Sequence, residues 1–131
     1  MRAPGLETDG WRLLDGEEFH RRFPTTFEIP DLALRKVLRP GDFAKLIFEM
    51  KVADDEQPAV ERMWVIVREI TPGGYVGMLD NEPTLIGKND RLWLGSELPF
   101  DYRHIIAAQH GDESSAALAK EPVSIRWPRS N

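Results

Sequence analysis

After Arg39-Pro40-Gly41-Asp42 the apolar residues recur at every second position: Ala44, Leu46, Phe48, Met50 and Val52 fall on one side, Lys45, Glu49 and Lys51 on the other. Successive side chains of extended backbone point to opposite faces, so this alternation predicts a half-buried strand. A polar turn, Asp54-Asp55-Glu56-Gln57-Pro58, separates it from residues 60–70, which are apolar on both faces through Met63-Trp64-Val65-Ile66-Val67. Such a run suits a central strand covered on both sides. Thr71-Pro72-Gly73-Gly74 then places Pro where a fixed negative φ is wanted and Gly where a positive φ is tolerated, which predicts a hairpin into Tyr75-Val76-Gly77-Met78-Leu79.

The rest of the chain must fit around that hairpin. With 10 Gly and 10 Pro among 131 residues, breakers divide it into short segments rather than forming one linker. Residues 15–23 read as a short helix carrying Phe19 and Phe23 at the i, i+4 spacing. Residues 31–38 read as another, with Leu34, Val37 and Leu38 on one face and Pro40-Gly41 as the stop. Thr84-Leu85-Ile86 could rejoin the sheet, and Arg91-Leu92-Trp93-Leu94 reads as the last strand of a meander. Asp101 is placed to cap a helix over residues 102–109 that lays Tyr102, Ile105 and Ile106 on the sheet. The expected architecture is α+β: a strongly curved antiparallel meander approaching a partly open small barrel, with short helices at the N- and C-terminal ends. Residues 1–10 form a flexible lead-in, 11–110 the domain, and 111–131 an extension that packs on it or trails from it.

Composition narrows the function classes. There is no cysteine, which excludes a disulfide scaffold, a thiolate zinc site and a thiol nucleophile. The charges, 17 Lys+Arg against 22 Asp+Glu for a net −5, are interleaved. Nucleic-acid binding draws its affinity from concentrated basic surface, so no nucleic-acid partner is expected. No run approaches the ~20 apolar residues of a membrane span. The N-terminus lacks a signal peptide's apolar middle, and a cytoplasmic location is the expectation.

Three segments together resemble a family of small uncharacterised bacterial proteins, a domain of unknown function. They are Gly41-Asp42-Phe43-Ala44-Lys45-Leu46-Ile47-Phe48, Glu61-Arg62-Met63-Trp64-Val65-Ile66-Val67 and Gly77-Met78-Leu79-Asp80-Asn81-Glu82-Pro83. The similarity spans roughly residues 41–106, with the ERMWV strand and the GxLxNxP turn its most specific elements. The family's closing Asp-Trp pair is absent, Asp101-Tyr102-Arg103-His104-Ile105 standing there instead. The resemblance implies a fold and a bacterial source and attaches no activity.

The candidate chemistry is scattered. Arg62 and Trp64 share a face of one strand and could form an anion clamp beside a stacking plate; alternatively, Trp64 fills the core and Arg62 runs along it to the rim. Asp80-Asn81-Glu82-Pro83 either presents paired carboxylates or is a turn. Trp93, out of phase with Leu92 and Leu94 and next to Arg91, is expected exposed, in the manner of a protein-contact hot spot. His104 with Asp101 could make an oriented base, whereas His104 and His110 are poorly spaced for a metal. No phosphate loop or serine elbow occurs, and no cofactor is expected.

The leading expectation is a non-enzymatic module that binds a protein partner through an exposed sheet edge and an aromatic surface, using Arg62, Asn81, Glu82, Pro83, Arg91 and Trp93. The alternative is a small hydrolase or other acid–base enzyme using His104 with Asp101 or Glu82. A third option is a small anion held by Arg62, Arg68 or Arg103.

Overall fold

The alternating segment forms strand β2 (Phe43–Met50), and its inward residues Ala44, Leu46, Phe48 and Met50 are all buried. Strand β3 (Ala59–Thr71) runs antiparallel to it in unbroken register from Phe43↔Ile66 to Met50↔Ala59. Thr71 and Gly74 pair across the tight turn into β4 (Gly74–Leu79), and Gly73 takes φ 83, the left-handed geometry the Pro-Gly pair predicts. The structure is a computed structural model and describes residues 1–129.

Three further strands complete a six-stranded antiparallel sheet: β1 (Trp11–Leu13), β5 (Glu97–Asp101) and β6 (Ala107–Gln109). Its path is β1-β2-β3-β4-β5, and β6 pairs with the Phe43–Lys45 end of the β2 edge whose other end pairs with β1. The sheet thereby curls into a nearly closed barrel with an unsealed seam between β5 and the β1/β6 edge. Gly74 permits tight packing of β4 on β5, since a Cβ there would collide with the Phe100 carbonyl.

Met63, Val65 and Val67 of β3, Tyr75 and Leu79 of β4, and Leu98 and Phe100 of β5 point inward and join the β2 residues in one core. The outer face of the hairpin is covered too. Ile66 and Met78 pack against Ala119, with Phe43 and Val123 alongside, beneath the end of helix α4 (the fourth helix, Glu113–Leu118). This outer cover explains why β3 is apolar on both faces.

Helix α1 is a single turn (Leu6–Asp9), α2 spans Gly16–Arg22 and α3 is another turn (Leu32–Arg35). Asp15 caps α2 by accepting from the Glu18 N–H at 3.0 Å. The helix over 31–38 shrinks to that one turn, with Leu34 and Val37 exposed and Leu38 buried.

Two further expectations are overturned. Residues 91–94 form no strand; the chain from Asp80 to Ser96 is a loop, and the strand that pairs with β4 is Glu97–Asp101. The helix over 102–109 is a 3-10 turn (Tyr102–His104) followed by β6. In both places the pairing edges of β4 and β2 outweighed local helical or strand preference.

The first ten residues are tied down: Asp9 takes both guanidinium nitrogens of Arg2 at 2.7 and 2.8 Å, and Lys51 N–H donates to the Gly10 carbonyl at 2.8 Å. After a turn at residues 119–121 the chain reaches the seam at residues 125–127. Ser96 and Ile125 form a parallel bridge, and Trp127, 6% exposed, enters the core cluster.

Candidate functional site

The outer face of β2 and β3 carries the first candidate. The register sets Lys45 opposite Trp64 and Ile47 opposite Arg62. Lys45 Nζ lies 5.6 Å from the centre of the Trp64 ring, and the Arg62 guanidinium 5.2 Å from that of Phe27. Both distances are in the cation–π range of ~6 Å. Phe27 is held from beneath, stacked on Phe19 at 5.3 Å, while its carbonyl accepts from His20 Nδ1 at 2.7 Å. Trp64 meets Phe43 edge-on at 6.5 Å. Among the described residues neither Lys45 nor Arg62 is paired with a carboxylate. Together with Glu28 and Ile106 they border a depression of about 180 Å³.

Trp64 does not fill the core: it is half-buried on the barrel's exterior, and its inward neighbours Met63 and Val65 supply the core. Its backbone N–H donates to Asn81 Oδ1 at 2.6 Å, and its carbonyl accepts from Asp80 N–H at 2.9 Å. Glu61 accepts from the backbone N–H of Thr84 and Leu85. The Glu61–Trp64 segment and the stretch from Asp80 to Leu85 are therefore bonded to each other. Pro83 is buried and Glu82 exposed, while Asn81 is committed to the Trp64 backbone. Burial pushes the Asp80 carboxyl up from its ordinary range.

Arg91 and Trp93 sit elsewhere, in the 80–96 loop. Trp93 is half-buried rather than exposed, its N–H donating to Ser96 Oγ at 2.8 Å, while Leu94 is 42% exposed. A turn at residues 93–96, with no strand alternation, sets which side chain faces out. Arg91 borders a different depression from Arg62.

The β5 edge of the sheet is occupied. On β5 the outward N–H groups belong to alternate residues. Glu97 donates to the Ile125 carbonyl at 2.8 Å, Asp101 donates to His104 Nδ1 at 2.9 Å, and Pro99 between them has no N–H. No donor on that edge is left for an added strand.

The same contact defines His104. The ring, 6% exposed, accepts at Nδ1, so its proton resides on Nε2. Burial, with Arg103 nearby, lowers its pKa to about 4, against weaker opposing pulls from Asp101, Asp15 and Glu17. The Asp101 carboxylate is exposed beside Arg103. Asp101 pairs with Gly74 at one end of β4, while Glu82 follows Leu79 at the other. His104 borders none of the depressions described, and the acid–base pair is not assembled there.

Among the described residues no group of three His, Asp or Glu is placed to hold a metal ion, and no helix is long and apolar enough to cross a membrane. Lys45 and Phe27 were missed by sequence reasoning. Lys45 was legible as outward-facing from the alternation of β2, but its position opposite Trp64 depends on register. Of the third option's arginines, Arg68 donates to the Glu121 carbonyl at 2.6 Å and Arg103 faces Asp15 and Asp101. Comparison with protein-family models, curated proteins and solved structures finds no match to this chain.

Proposed function

We propose that this protein is a non-catalytic binding module that holds an acidic segment of a partner protein against the outer face of β2 and β3. The observation that carries this reading is the pair of cations, Lys45 and Arg62, set over the rings of Trp64 and Phe27 without a carboxylate partner among the described residues. On a chain of net charge −5, two cations with no ion pair among the described residues, against the single acid Glu28 on the same depression and beside half-buried aromatic rings, favour an anionic partner with apolar side chains. The aromatic residue of the contact is Trp64 in this reading, in place of Trp93, and Asn81 fixes the backbone behind it.

Titration with a synthetic peptide of alternating Glu and Leu, followed by tryptophan fluorescence, tests the reading. Saturable binding that weakens with salt and disappears in the Lys45→Glu/Arg62→Glu variant supports it. Equal behaviour of the wild-type chain and a folded double variant refutes it.

A further inference from the structure

A larger depression than the one beside Arg62 lies away from that face. It is a cleft of about 520 Å³ where β1, the chain leaving β2 and the 85–92 loop meet. That volume falls within the ~300–1,000 Å³ of small-ligand pockets, which favour the mouths of barrels. Its walls include the apolar Val52, Leu85 and Ile86, and Leu85 is 50% exposed.

Three observations make it more than a surface irregularity. Trp11 borders the cleft, is 2% exposed, and its buried Nε1–H has no hydrogen-bond partner among the described residues. Buried indole donors are normally satisfied, so the residue beside the cleft carries an unmet donor whose resonance reports on its surroundings. The other opening that Trp11 borders shares Asp9, Asp90 and Arg91 with this one.

Second, the charge at the mouth is unbalanced. Lys88 and Arg91 are exposed and face no carboxylate partner among the described residues, and Lys51 has only the exposed Glu7 at 3.0 Å. Of the acids on the wall, Asp9 is already committed to Arg2 and lowered to about 2 by that hydrogen bond, leaving Asp90. Third, the loop is built before any ligand arrives. Asn89 Oδ1 accepts from Arg91 and Leu92 N–H, both at 2.8 Å, and its Nδ2 donates to the Gly87 and Leu92 carbonyls, both at 3.0 Å. All of this directs Asn89 into its own loop and fixes where Arg91 starts. The Arg91 side chain then lies across Gly10, where a Cβ would stand 3.4 Å from its Nη1.

We propose that this cleft binds a small carboxylate with an apolar body. The carboxylate sits at the Lys88–Arg91 rim, and the body lies against Val52, Leu85 and Ile86, beside Trp11. A neutral ligand of the same shape leaves the cations uncompensated and binds more weakly.

The test uses benzoate and hexanoate, with benzamide and hexanamide as neutral counterparts, followed through the tryptophan indole N–H resonances of the full chain. Trp11→Phe assigns the Trp11 signal by its disappearance. The expected result is a saturable shift of that signal with a carboxylate, at least about tenfold weaker with the matching amide and in Arg91→Glu. Because Trp11→Phe alters the core, the surface variants Arg91→Glu and Lys88→Glu decide the outcome, with circular dichroism confirming their fold. No saturable shift below about 10 mM of either carboxylate, equal shifts with acid and amide, or unchanged binding in both surface variants overturns the proposal.

Discussion

Trp11, in the first strand, and Trp127, near the chain's end, meet edge to face with ring centroids 5.8 Å apart and planes at 69°. Their contact crosses the seam of the barrel and is held from both sides. Trp127 N–H donates to Glu97 Oε1 of β5 at 3.1 Å, its indole Nε1–H donates to the Arg2 carbonyl at 3.1 Å, and the Arg2 guanidinium lies 4.5 Å from the ring centre. Arg129 adds a bond to Glu97 Oε2 at 2.6 Å and a two-bond pair with Glu69. The C-terminal segment is in this sense a wall of the barrel.

Trp127→Ala therefore removes a core residue and opens the seam. The expected loss is about 3–5 kcal/mol of unfolding free energy, read from urea denaturation. A loss below about 1 kcal/mol would mean that the segment is dispensable and the barrel core closes without it.

Tyr75 joins the core to the N-terminal helices. Its hydroxyl donates to the Arg35 carbonyl at 2.7 Å and accepts from Leu38 N–H at 3.1 Å, both buried bonds. Tyr75→Phe keeps the ring and strands two buried backbone groups, so denaturation should show a loss of about 2 kcal/mol. A neutral outcome would show that the segment around α3 detaches without cost.

His104 makes stability pH-dependent. In the unfolded chain an imidazole protonates near 6.5, whereas in the fold it does so only at about 4. Between those values the unfolded chain binds the proton and the folded chain does not. The contribution is complete above pH 6.5 and drains away as pH falls to about 4, by about 3 kcal/mol in all. His104→Gln retains an acceptor for the Asp101 N–H without the titration, so the difference between wild type and variant across that window isolates the effect from the carboxylates. An NMR titration of the His104 ring with a midpoint near 6.5 would contradict it.

Asn81→Ala removes the acceptor for the Trp64 N–H and one of the ties holding the 80–96 loop to β3. A loss of about 1–2 kcal/mol is expected, together with weaker binding of the acidic peptide because Trp64 loses its backing. Thermal unfolding and the fluorescence titration read the two effects separately, and unchanged values in both would remove Asn81 from any structural or binding role.

The sheet's central part was legible because its determinants are local. Alternation from Ala44 to Met50, the double-sided apolar run of β3 and the Pro72-Gly73 turn each specify geometry within a few residues, and neighbouring strands joined by a two-residue turn have little choice of register. Arg91-Leu92-Trp93-Leu94 carried the composition of a strand and lost the place to Glu97–Asp101, whose register puts Leu98 and Phe100 into the core.

What only tertiary structure decided is everything that depends on residues distant in the chain. No pattern near Asp101 and His104 reveals that a backbone N–H occupies the ring nitrogen and that burial empties it of its proton. Nothing around Lys45 announces the Trp64 ring opposite it, and nothing near Trp11 announces that Trp127 closes against it across the seam. Local sequence selects backbone conformation through sterics and alternation, whereas charge pairing, burial and closure of the seam are set by which distant segments arrive at the same place.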